Sequence, residues 1–548
     1  MISIHPLFFT MNIHSFKTLK SAHLLNNLLI YLKVNWALTI GLFLAVSVRL
    51  TFWIYTDRTW EDALITTTHA MSAAEGIGLT HHAGEPPIHG FTSVLSVLIP
   101  LVAEVTVSGS GIFFLKLCSV IASVLTLIYA HSIGQKYNLD QWSSLFVLVF
   151  LACDYQHIFY GMAGMETQVA VAIIVAGAFY VINRATIPSG ICLGLALLAR
   201  PDFVLWVAPA LFFLGVYNWK IARNSGIIAF LVTLPWLIFT LLYYGSPVPN
   251  PIKAKAGFYF QDQLTEHSSK LAEWMHWIGV RLDMHRLQTW KMLTPLYNVN
   301  SAIIIDPPIR FRYAIIFAFI FVTLALIGIW TKRRSLEFYP IIGYLGIYLV
   351  YRVLFVFPFY FDWYLPPFTA FLVLCAGLGI HRLGKASWQV KRGLAIVLSL
   401  AYAFHIPFTF PLEQRVQSIE NQVRRPLGEY LGQVIQPGEA ITSESSGYIG
   451  YYSRGLLWDF PGLTSHTSRQ VLENVPPEDN NLYYLIAQLE PTWIVLRPNE
   501  RDELARMYPE IYAKYRVHKH LKSEVDLNYL FMSYTSIDQE FWLMRRED

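Results

Sequence analysis

The sequence predicts a mainly α-helical, polytopic membrane protein that carries a small mixed α/β domain at its C-terminal end. A chain of 548 residues is too long for one soluble core, which usually stops growing near about 250–300 residues. Hydrophobic residues make up 54% and charged residues only 14% of the chain, and the mean hydropathy is +0.41. A soluble chain carries roughly 25% charged residues. These values exclude a soluble enzyme, a disordered chain and a fibre, and the small net charge of +4 argues against nucleic acid as a partner.

Long apolar runs supply the helices of this prediction, because a spanning helix needs about 20 mostly apolar residues. Eleven runs are candidates: 35–55, 111–131, 142–159, 167–182, 189–200, 203–217, 226–244, 312–331, 338–357, 365–381 and 392–410. The stretch 90–106 is also apolar, but it contains Pro100 and Glu104, and we interpret it as a helix on the membrane surface. The first run follows three lysines and no cleavable signal pattern, which is typical of a signal anchor.

The distribution of basic residues predicts the orientation of these helices. With the N-terminal segment 1–34 in the cytoplasm, the basic loops gather on the cytoplasmic side, as the positive-inside rule requires. These loops hold Lys136, Arg184, Lys220, Arg223, Lys332–Arg334 and the cluster from Arg382 to Arg392. The transmembrane domain then covers 35–411, and its first outer loop, 56–110, faces the extracytoplasmic side together with the C-terminal domain, 412–548.

The C-terminal domain has shorter apolar runs than the rest of the chain. Trp493–Leu496 and Tyr529–Tyr534 have the length of strands, and Val423–Val434 has the pattern of an amphipathic helix. Pro437-Gly438 predicts a turn. A small mixed α/β extracytoplasmic domain fits these signals.

Several common chemistries find little support in the sequence. His81, His82 and His89 are accompanied by no zinc-binding motif, so we expect surface histidines and no metal site. The four cysteines lie in or beside apolar runs and resemble small buried hydrophobic residues. The chain has neither a phosphate-binding P-loop nor a dinucleotide fingerprint, which disfavours a nucleotide sugar or ATP as the energy source.

The acidic pair Glu61-Asp62 is the sharpest chemical signal. It directly follows the first apolar run, where a carboxylate has the position to act as a general base or to bind a cation. The alternative is structural, since acids at the first turn of a helix are favoured by the helix dipole. Both interpretations stay open on the residues alone.

An ordered set of short motifs resembles the GT-C glycosyltransferases, and in particular the mycobacterial terminal arabinofuranosyltransferase type. The motifs after the acidic pair are Gly76–Leu79, Gly84-Glu85, Gly90–Thr92, Gly164–Thr167, Arg200–Asp202, Tyr243–Asn250 with Lys253-Ala254-Lys255, Phe361–Pro366, Gly447–Ser453 and Asp459–Leu463. The resemblance covers residues 35–465. Many relatives have aspartate at the position of Glu61, and this departure leaves the role of Glu61 open.

The resemblance implies an inverting glycosyltransferase that uses a polyprenyl-phosphate sugar. It also implies a bacterial plasma membrane as the location, with the active site on its outer face. Asp62 is then the catalytic base, and Glu61 orients it or binds the acceptor, which is a cell-envelope glycan, lipid or protein. The family includes members with and without a divalent cation near the acids, so a cation beside Glu61 and Asp62 stays open. The sequence does not distinguish a pentose from a hexose.

Further residues are candidates for substrate binding under the same resemblance. Lys253, Lys255 and Arg310 lie next to outer span ends, where they would bind the donor phosphate or extend toward lipid headgroups. Glu166 would bind sugar or cap a helix, and Arg200 and Asp202 would contact substrate or pair with each other. The remaining candidates are Asp362, placed to hydrogen-bond sugar hydroxyls, and Tyr448 of the tail motif.

The main alternative function is a flippase or transporter for lipid-linked sugars. Transporters usually carry ionisable residues in the middle of their spans and often consist of paired halves. The apolar runs here are largely free of such charges, with Lys116 and Arg352 as exceptions near span ends, and no repeat is visible. A non-catalytic membrane scaffold gives no reason for acids and bases to gather on the outer loops.

Overall fold

The structure is a computed structural model that describes residues 33–259, 307–355, 362–385, 387–473, 479–527 and 536–547, with isolated positions at 275, 278–279, 293 and 475–476. The helices of the membrane domain and its outer loops are α1 (Trp36–Thr56), α2 (Glu61–Ala74), α3 (Leu95–Glu104), α4 (Gly111–Lys136), α5 (Gln141–Cys153), α6 (Tyr155–Met162), α7 (Thr167–Ile182), α8 (Thr186–Ala199), α9 (Val204–Tyr217), α10 (Trp219–Tyr244), α11 (Asn250–Tyr259), α12 (Pro307–Lys332), α13 (Tyr339–Phe355), α14 (Pro366–Leu383), α15 (Trp388–Phe404) and α16 (Ile406–Gln422).

The C-terminal domain continues with α17 (Arg424–Val434), β1 (Ala440–Ser443), α18 (Ser446–Ser453), β2 (Leu456–Asp459), α19 (His466–Leu472), α20 (Leu482–Leu489), β3 (Trp493–Leu496), α21 (Pro498–Met507), α22 (Pro509–Tyr512), β4 (Tyr515–Lys522) and β5 (Glu540–Arg546). The predicted fold class, a helical membrane protein with a small C-terminal α/β domain, is confirmed.

Six helical segments of the described residues are long and apolar enough to cross a membrane, and the chain is an integral membrane protein. Several other predicted spans form shorter apolar helices, among them α7, α8 and α9. The predicted run 142–159 is divided at Asp154, where α5 ends and α6 begins. The Asp154 carboxylate accepts hydrogen bonds from the backbone N–H groups of Gln156 and His157 at 3.1 and 3.3 Å, which caps α6.

The apolar stretch around Pro100 forms the short helix α3. Its ten residues rise about 15 Å, half the thickness of a bilayer core. The Glu104 carboxylate at its end is buried and accepts hydrogen bonds from the N–H groups of Gly109 and Gly111 at 2.6 and 2.7 Å. Glu104 therefore satisfies the start of α4, which explains an acid inside an apolar stretch.

The sequence predicts spans without charged residues apart from Lys116 and Arg352. This prediction is wrong for Arg49, which is a third charged residue in a span. Arg49 lies inside α1 and is fully buried. Its guanidinium donates to the carbonyl oxygens of Leu151 and Ala152 at 3.2 and 2.9 Å, where the last turn of α5 leaves carbonyls without helical partners. The Arg49 guanidinium thus caps the C-terminal end of α5.

Close helix packing in the membrane domain depends on glycine. Gly190 and Gly194 of α8 lie one turn apart, and a Cβ atom at either position would come within 2.8 Å of a backbone oxygen of α10. Small residues at this spacing let two helix backbones approach each other. This crossing fixes α8, whose last residue precedes Arg200.

The C-terminal sheet has the order β2-β1-β3-β5-β4. β1 pairs in parallel with both β2 and β3, whereas β5 runs antiparallel to β3 and β4. Trp493 and Val495 pack toward the side covered by α16 and α17, and Ile494 and Leu496 toward the opposite helices. The predictions of a helix ending at Val434 and a strand at Trp493–Leu496 are confirmed, whereas the predicted strand at Tyr529–Tyr534 lies outside the described residues.

Candidate active site

A short turn connects the first span to α2 and carries the acidic pair. α1 ends at Asp57, whose φ of 46° is left-handed. The turn is then held on both sides of its backbone: the Thr59 N–H donates to Gln417 Oε1 at 3.0 Å, and the Thr59 carbonyl accepts from the Tyr448 hydroxyl at 3.0 Å. The Trp60 N–H donates to the Ala163 carbonyl at 2.8 Å. The start of α2 is therefore fixed by the membrane domain and the C-terminal domain together.

Glu61, the first residue of α2, is directed toward the C-terminal domain. Its carboxylate pairs with Arg424 and accepts hydrogen bonds from the Ser445 hydroxyl at 3.1 Å and the Gly447 N–H at 2.9 Å. Burial raises the pKa of Glu61 to about 7, and although Arg424 opposes this shift, nearby carboxylates reinforce it. Near neutral pH this carboxyl therefore sits close to its own titration point.

The guanidinium of Arg424 serves several carboxylates at once. It contacts Glu420 of the preceding helix through two nitrogens, reaches Glu61, and lies 3.6 Å from Asp538. It also donates to the Ser445 hydroxyl at 2.8 Å. One cation shared in this way compensates each acid only in part, which agrees with the raised pKa of Glu61.

Asp62 is directed toward the membrane domain instead. Adjacent residues of a helix project about 100° apart, so the two acids do not share a face. Asp62 is half-buried. Burial raises the pKa of the Glu166 carboxyl, Arg200 opposes the shift, and the nearby charges of Asp62 and Asp202 add to it. Asp62 therefore belongs to a second acidic group, at the start of α7 and the end of α8.

Arg200 and Asp202 form a buried pair within that group. The Arg200 guanidinium donates to both carboxylate oxygens of Asp202, at 3.0 and 3.2 Å, and to the Trp363 carbonyl at 2.9 Å. It also lies 3.7 Å from the centroid of the Tyr364 ring. This contact ties the corner after α8 to the turn before α14, which contains Asp362.

Aromatic rings line the same region. Trp60, Tyr160 and Trp363 contact one another, with ring centroids 6.0 to 6.4 Å apart. The carboxylates of Asp62 and Asp362 both interact electrostatically with the Tyr160 hydroxyl. The Trp60 indole N–H is buried and has no acceptor within the described part of the chain. The structure thus brings Asp62, Glu166, Arg200, Asp202 and Asp362 to one aromatic-lined region.

The predicted phosphate-binding cations lie at α11 and α12. Asn250, at the start of α11, donates through its side chain to the carbonyls of Gly462 and Leu463 at 2.7 and 2.9 Å, which attaches α11 to the C-terminal domain. Lys253 is exposed on this helix. The side chains of Lys255 and Arg310 lie outside the described residues, so phosphate binding by the three cations stays a prediction.

Tyr448 lies on the other side of the turn that precedes α2. It is buried, and its hydroxyl contacts the Thr59 carbonyl and Gln417. The Arg424 guanidinium lies 4.9 Å from its ring centroid. In the structure Tyr448 therefore holds the turn that carries Glu61.

The expectation of surface histidines in the first outer loop is wrong. His69, His81, His82 and His89 are all buried, because the C-terminal domain and α10 cover the loop. The His89 ring stacks on Tyr244 with centroids 4.9 Å apart. Burial lowers the pKa of His69 to about 3 and that of His89 to about 4. In the described ranges, no three metal-binding side chains come together as a metal site.

The first outer loop is attached to the C-terminal domain at two further points. The Glu85 carboxylate accepts hydrogen bonds from the Ser465 hydroxyl at 3.1 and 3.0 Å and the His466 N–H at 2.8 Å, at the start of α19. Burial alone would raise the pKa of Glu85, but hydrogen bonds, that from His82 foremost, lower it to about 2. At the far end of α2, Glu75 pairs with Arg454 at 2.5 Å.

Sequence reasoning missed the polar side of α16. Glu413 is buried and contacts Arg58 at 3.1 Å and the Tyr155 hydroxyl at 2.5 Å. Glu413, Gln417 and Glu420 follow one another at intervals of four and three residues, which places them on one side of α16, and Arg424 continues this spacing at the start of α17. That spacing was visible in the sequence and indicates a polar stripe, although not its partners.

Comparison with known proteins gives a match to one family model over part of the chain and a likeness to solved structures. Residues 413–541 match a family model described as a domain of unknown function, DUF8728. No curated protein matches the chain.

Among solved structures, the chain is similar to ArnT from Cupriavidus metallidurans. The apo state aligns with a TM-score of 0.52 at 11% identity, and the form bound to undecaprenyl phosphate with a TM-score of 0.52 at 12% identity. Both alignments cover 92% of this chain and 97% of ArnT. At this identity the likeness establishes the fold alone, and that fold is the GT-C fold that the sequence motifs predict.

Proposed function

We propose that the protein is an inverting membrane glycosyltransferase that moves a sugar from a polyprenyl-phosphate donor to a cell-envelope glycan, lipid or protein. The observation that carries the proposal is the position of Asp62, just outside the first span, in an aromatic-lined group with Glu166 and the Arg200–Asp202 pair. The fold supports it, because ArnT, a protein of this fold, has been crystallised with undecaprenyl phosphate.

Asp62 is the general base in this proposal. Its carboxylate takes the proton of the acceptor hydroxyl while the hydroxyl oxygen attacks the anomeric carbon from the side opposite the phosphate. The bond between the anomeric carbon and the phosphate oxygen breaks, and the polyprenyl phosphate leaves with the bonding electrons. Asp62 then releases its proton to water. A positioned base contributes roughly 10²–10⁴-fold to the rate.

The leaving phosphate requires positive charge, because negative charge develops on its oxygen in the transition state. Lys253, which is exposed on α11, is proposed to supply it together with Lys255 and Arg310. Lysine acts here as a point charge on a flexible stem. The lipid chain of the donor stays in the bilayer, whose boundary lies near the ends of α1 and α10.

The sugar is proposed to bind between Asp62 and the rings of Trp60, Tyr160 and Trp363. Aromatic faces and carboxylates together suit a saccharide, which presents C–H faces and hydroxyl donors. The buried Trp60 N–H, which has no acceptor among the described residues, is placed to donate to a sugar oxygen. The sugar stays open between a pentose such as arabinofuranose and a hexose such as mannose, and a bacterial plasma membrane with the site facing outward is the proposed location.

Transfer by purified protein in liposomes tests the proposal. The protein is supplied with radiolabelled polyprenyl-phosphate arabinose, mannose and other sugars, together with cell-envelope acceptor. We expect the label to move to the acceptor with one of the donors. Movement of the labelled lipid between leaflets without transfer would instead support a flippase and contradict the proposal.

The Asp62→Asn variant tests whether the Asp62 carboxylate itself is the general base. The substitution keeps the size of the side chain and removes the proton acceptor, so we expect transfer to fall about 10²–10⁴-fold while the thermal midpoint stays near that of the wild type. Glu75→Gln, at the far end of the same helix, is the matched control and retains transfer. Turnover of Asp62→Asn near the wild-type rate would remove Asp62 from this role.

A further inference from the structure

The C-terminal sheet has a strand order that places a switch point next to β1, where α/β proteins usually bind ligands. β1 lies between β2 and β3, and the chain leaves β1 first toward β2 and later returns to β3 on the other side. In open parallel sheets, the crevice beyond the carboxyl ends of two such strands is the usual ligand site. Here that crevice lies after Ser443 and Leu496, where the strands end.

Charged side chains fill one part of this crevice. Arg497, directly after β3, contacts Glu444 at 2.8 Å, Glu500 at 2.6 Å and Asp538 at 2.8 Å. Asp538 also faces Arg424, whose side chain is 5% exposed. Asp538 therefore lies between the two arginines. Arg424 also contacts a carboxylate on its other side.

The carboxylate that Arg424 reaches belongs to α2. Glu61 binds Arg424, the Ser445 hydroxyl and the Gly447 N–H, the last at the first turn of α18. A guanidinium, a hydroxyl and a backbone N–H at a helix start are the donors with which proteins bind an anionic ligand.

Shape also fits this contact. A Cβ atom on Gly447 would lie 2.3 Å from the Glu61 carbonyl oxygen and 2.6 Å from its Cγ atom. Only glycine lets α18 approach the start of α2 so closely. The crevice is therefore matched to Glu61 in both charge and space.

We infer that the C-terminal domain is a carboxylate-binding module whose ligand is Glu61 of the same chain, and that Arg424 is thereby a positioning residue for Asp62. Docking of Glu61 fixes the first turn of α2, and Asp62 is the next residue of that turn. The part of the inference that concerns Asp62 rests on the proposed function. A shift of about 1 Å in a reacting group costs about 100-fold in rate.

Three substitutions remove the contact by different means. Glu61→Gln removes the charge, Arg424→Lys keeps the charge but loses the planar fork, and Gly447→Ala blocks the approach without changing charge. Glu75→Gln is the matched control, because Glu75 also joins α2 to the C-terminal domain, through Arg454, at the other end of the helix. The conservative changes keep the buried acids of the crevice partnered, so the chain remains folded.

Hydrogen–deuterium exchange of the full protein in nanodiscs tests the docking directly. We expect faster exchange at residues 58–64 in the three variants and an unchanged rate there in Glu75→Gln. Unchanged exchange at 58–64 in Arg424→Lys and Gly447→Ala would overturn the inference. This measurement needs no transferase activity, so it decides the docking even where the proposed function fails.

Transfer kinetics test the positioning. We expect the kcat of Arg424→Lys to fall about 100-fold with the KM for the donor within about twofold. In an Asp62→Asn background, Arg424→Lys is expected to cost nothing further, because there is no base left to position. A further loss in the double variant, equal to that in the wild-type background, would show that Arg424 does not act through Asp62.

Discussion

Arg49 shows how a single side chain organises the membrane domain. Its guanidinium donates to Gln168 Oε1 at 3.0 Å as well as to the carbonyls of Leu151 and Ala152. Gln168 in turn donates to the Thr126 hydroxyl at 3.0 Å. Four membrane helices, α1, α5, α7 and α4, thus share one hydrogen-bonded network, which is buried away from lipid.

Removal of this guanidinium is predicted to destabilise the fold. Arg49→Met leaves the last carbonyls of α5 buried without donors, and each such group costs about 1–3 kcal/mol. We expect a lower free energy of unfolding, measured by thermal or denaturant unfolding in detergent. Arg223→Met, at an exposed arginine of α10, is the control and should stay within about 0.5 kcal/mol of the wild type. An Arg49→Met protein as stable as the control would refute this role.

The sequence could identify Asp62 and Glu61 as candidate site residues. It could not predict that Glu61 points toward the C-terminal domain and Asp62 toward the membrane domain. Both acids follow the first span, which is a local signal. The partner of Glu61, however, is Arg424, which lies 363 residues away in the chain. Likewise, the acceptors of Arg49 are about a hundred residues distant, so its burial was not predictable from the apolar run around it.

At the scale of elements, local pattern predicted best for an amphipathic helix and for a short apolar strand that is buried on both faces. α17 ends at Val434 and β3 covers Trp493–Leu496, as their amphipathic and apolar patterns indicate. The predicted run 142–159 lies within the spanning segment Gln141–Met162, although hydropathy does not register the break that the capping carboxylate of Asp154 makes inside it. The burial of the first outer loop was also missed, since it depends on the C-terminal domain that covers it.

The contact between α12 and α14 gives a prediction for a pair of helices. A Cβ atom on Gly328 would lie 1.9 Å from the Cys375 carbonyl oxygen, a backbone atom that cannot turn away. Gly328→Ala is therefore expected to lower the free energy of unfolding by about 1–3 kcal/mol. Gly346→Ala in α13 is the control, because nothing lies within 4 Å of a Cβ atom there. Equal thermal midpoints for the two variants would contradict the close crossing.

At the scale of the whole molecule, buried histidines predict how stability depends on pH. Burial lowers the pKa of His89 to about 4 and of His69 to about 3, from 6.5 in the unfolded chain. The unfolded chain binds more protons below pH 6.5, so stability is full above that value and is lost as pH falls toward 4 and 3. Each histidine contributes a slope of about 1.4 kcal/mol per pH unit in this window.

Thermal unfolding between pH 7.5 and 5 measures this slope, and a falling midpoint below about pH 6.5 is expected. His89→Phe keeps a ring against Tyr244 and removes the titrating group, so its midpoint should fall less steeply. A His89→Phe protein with the wild-type slope would exclude His89 as a source of the pH dependence.

The membrane domain and the C-terminal domain are joined by helices that follow one another almost without interruption. α15, α16 and α17 form a nearly continuous stretch from Trp388 to Val434, broken only at His405 and Val423. Each of the two breaks is a single residue long. Glu413 and Gln417 lie on this stretch and contact Arg58 and Thr59 of the turn before α2, so a chain truncated after its spans would lose two side chains that hold this turn.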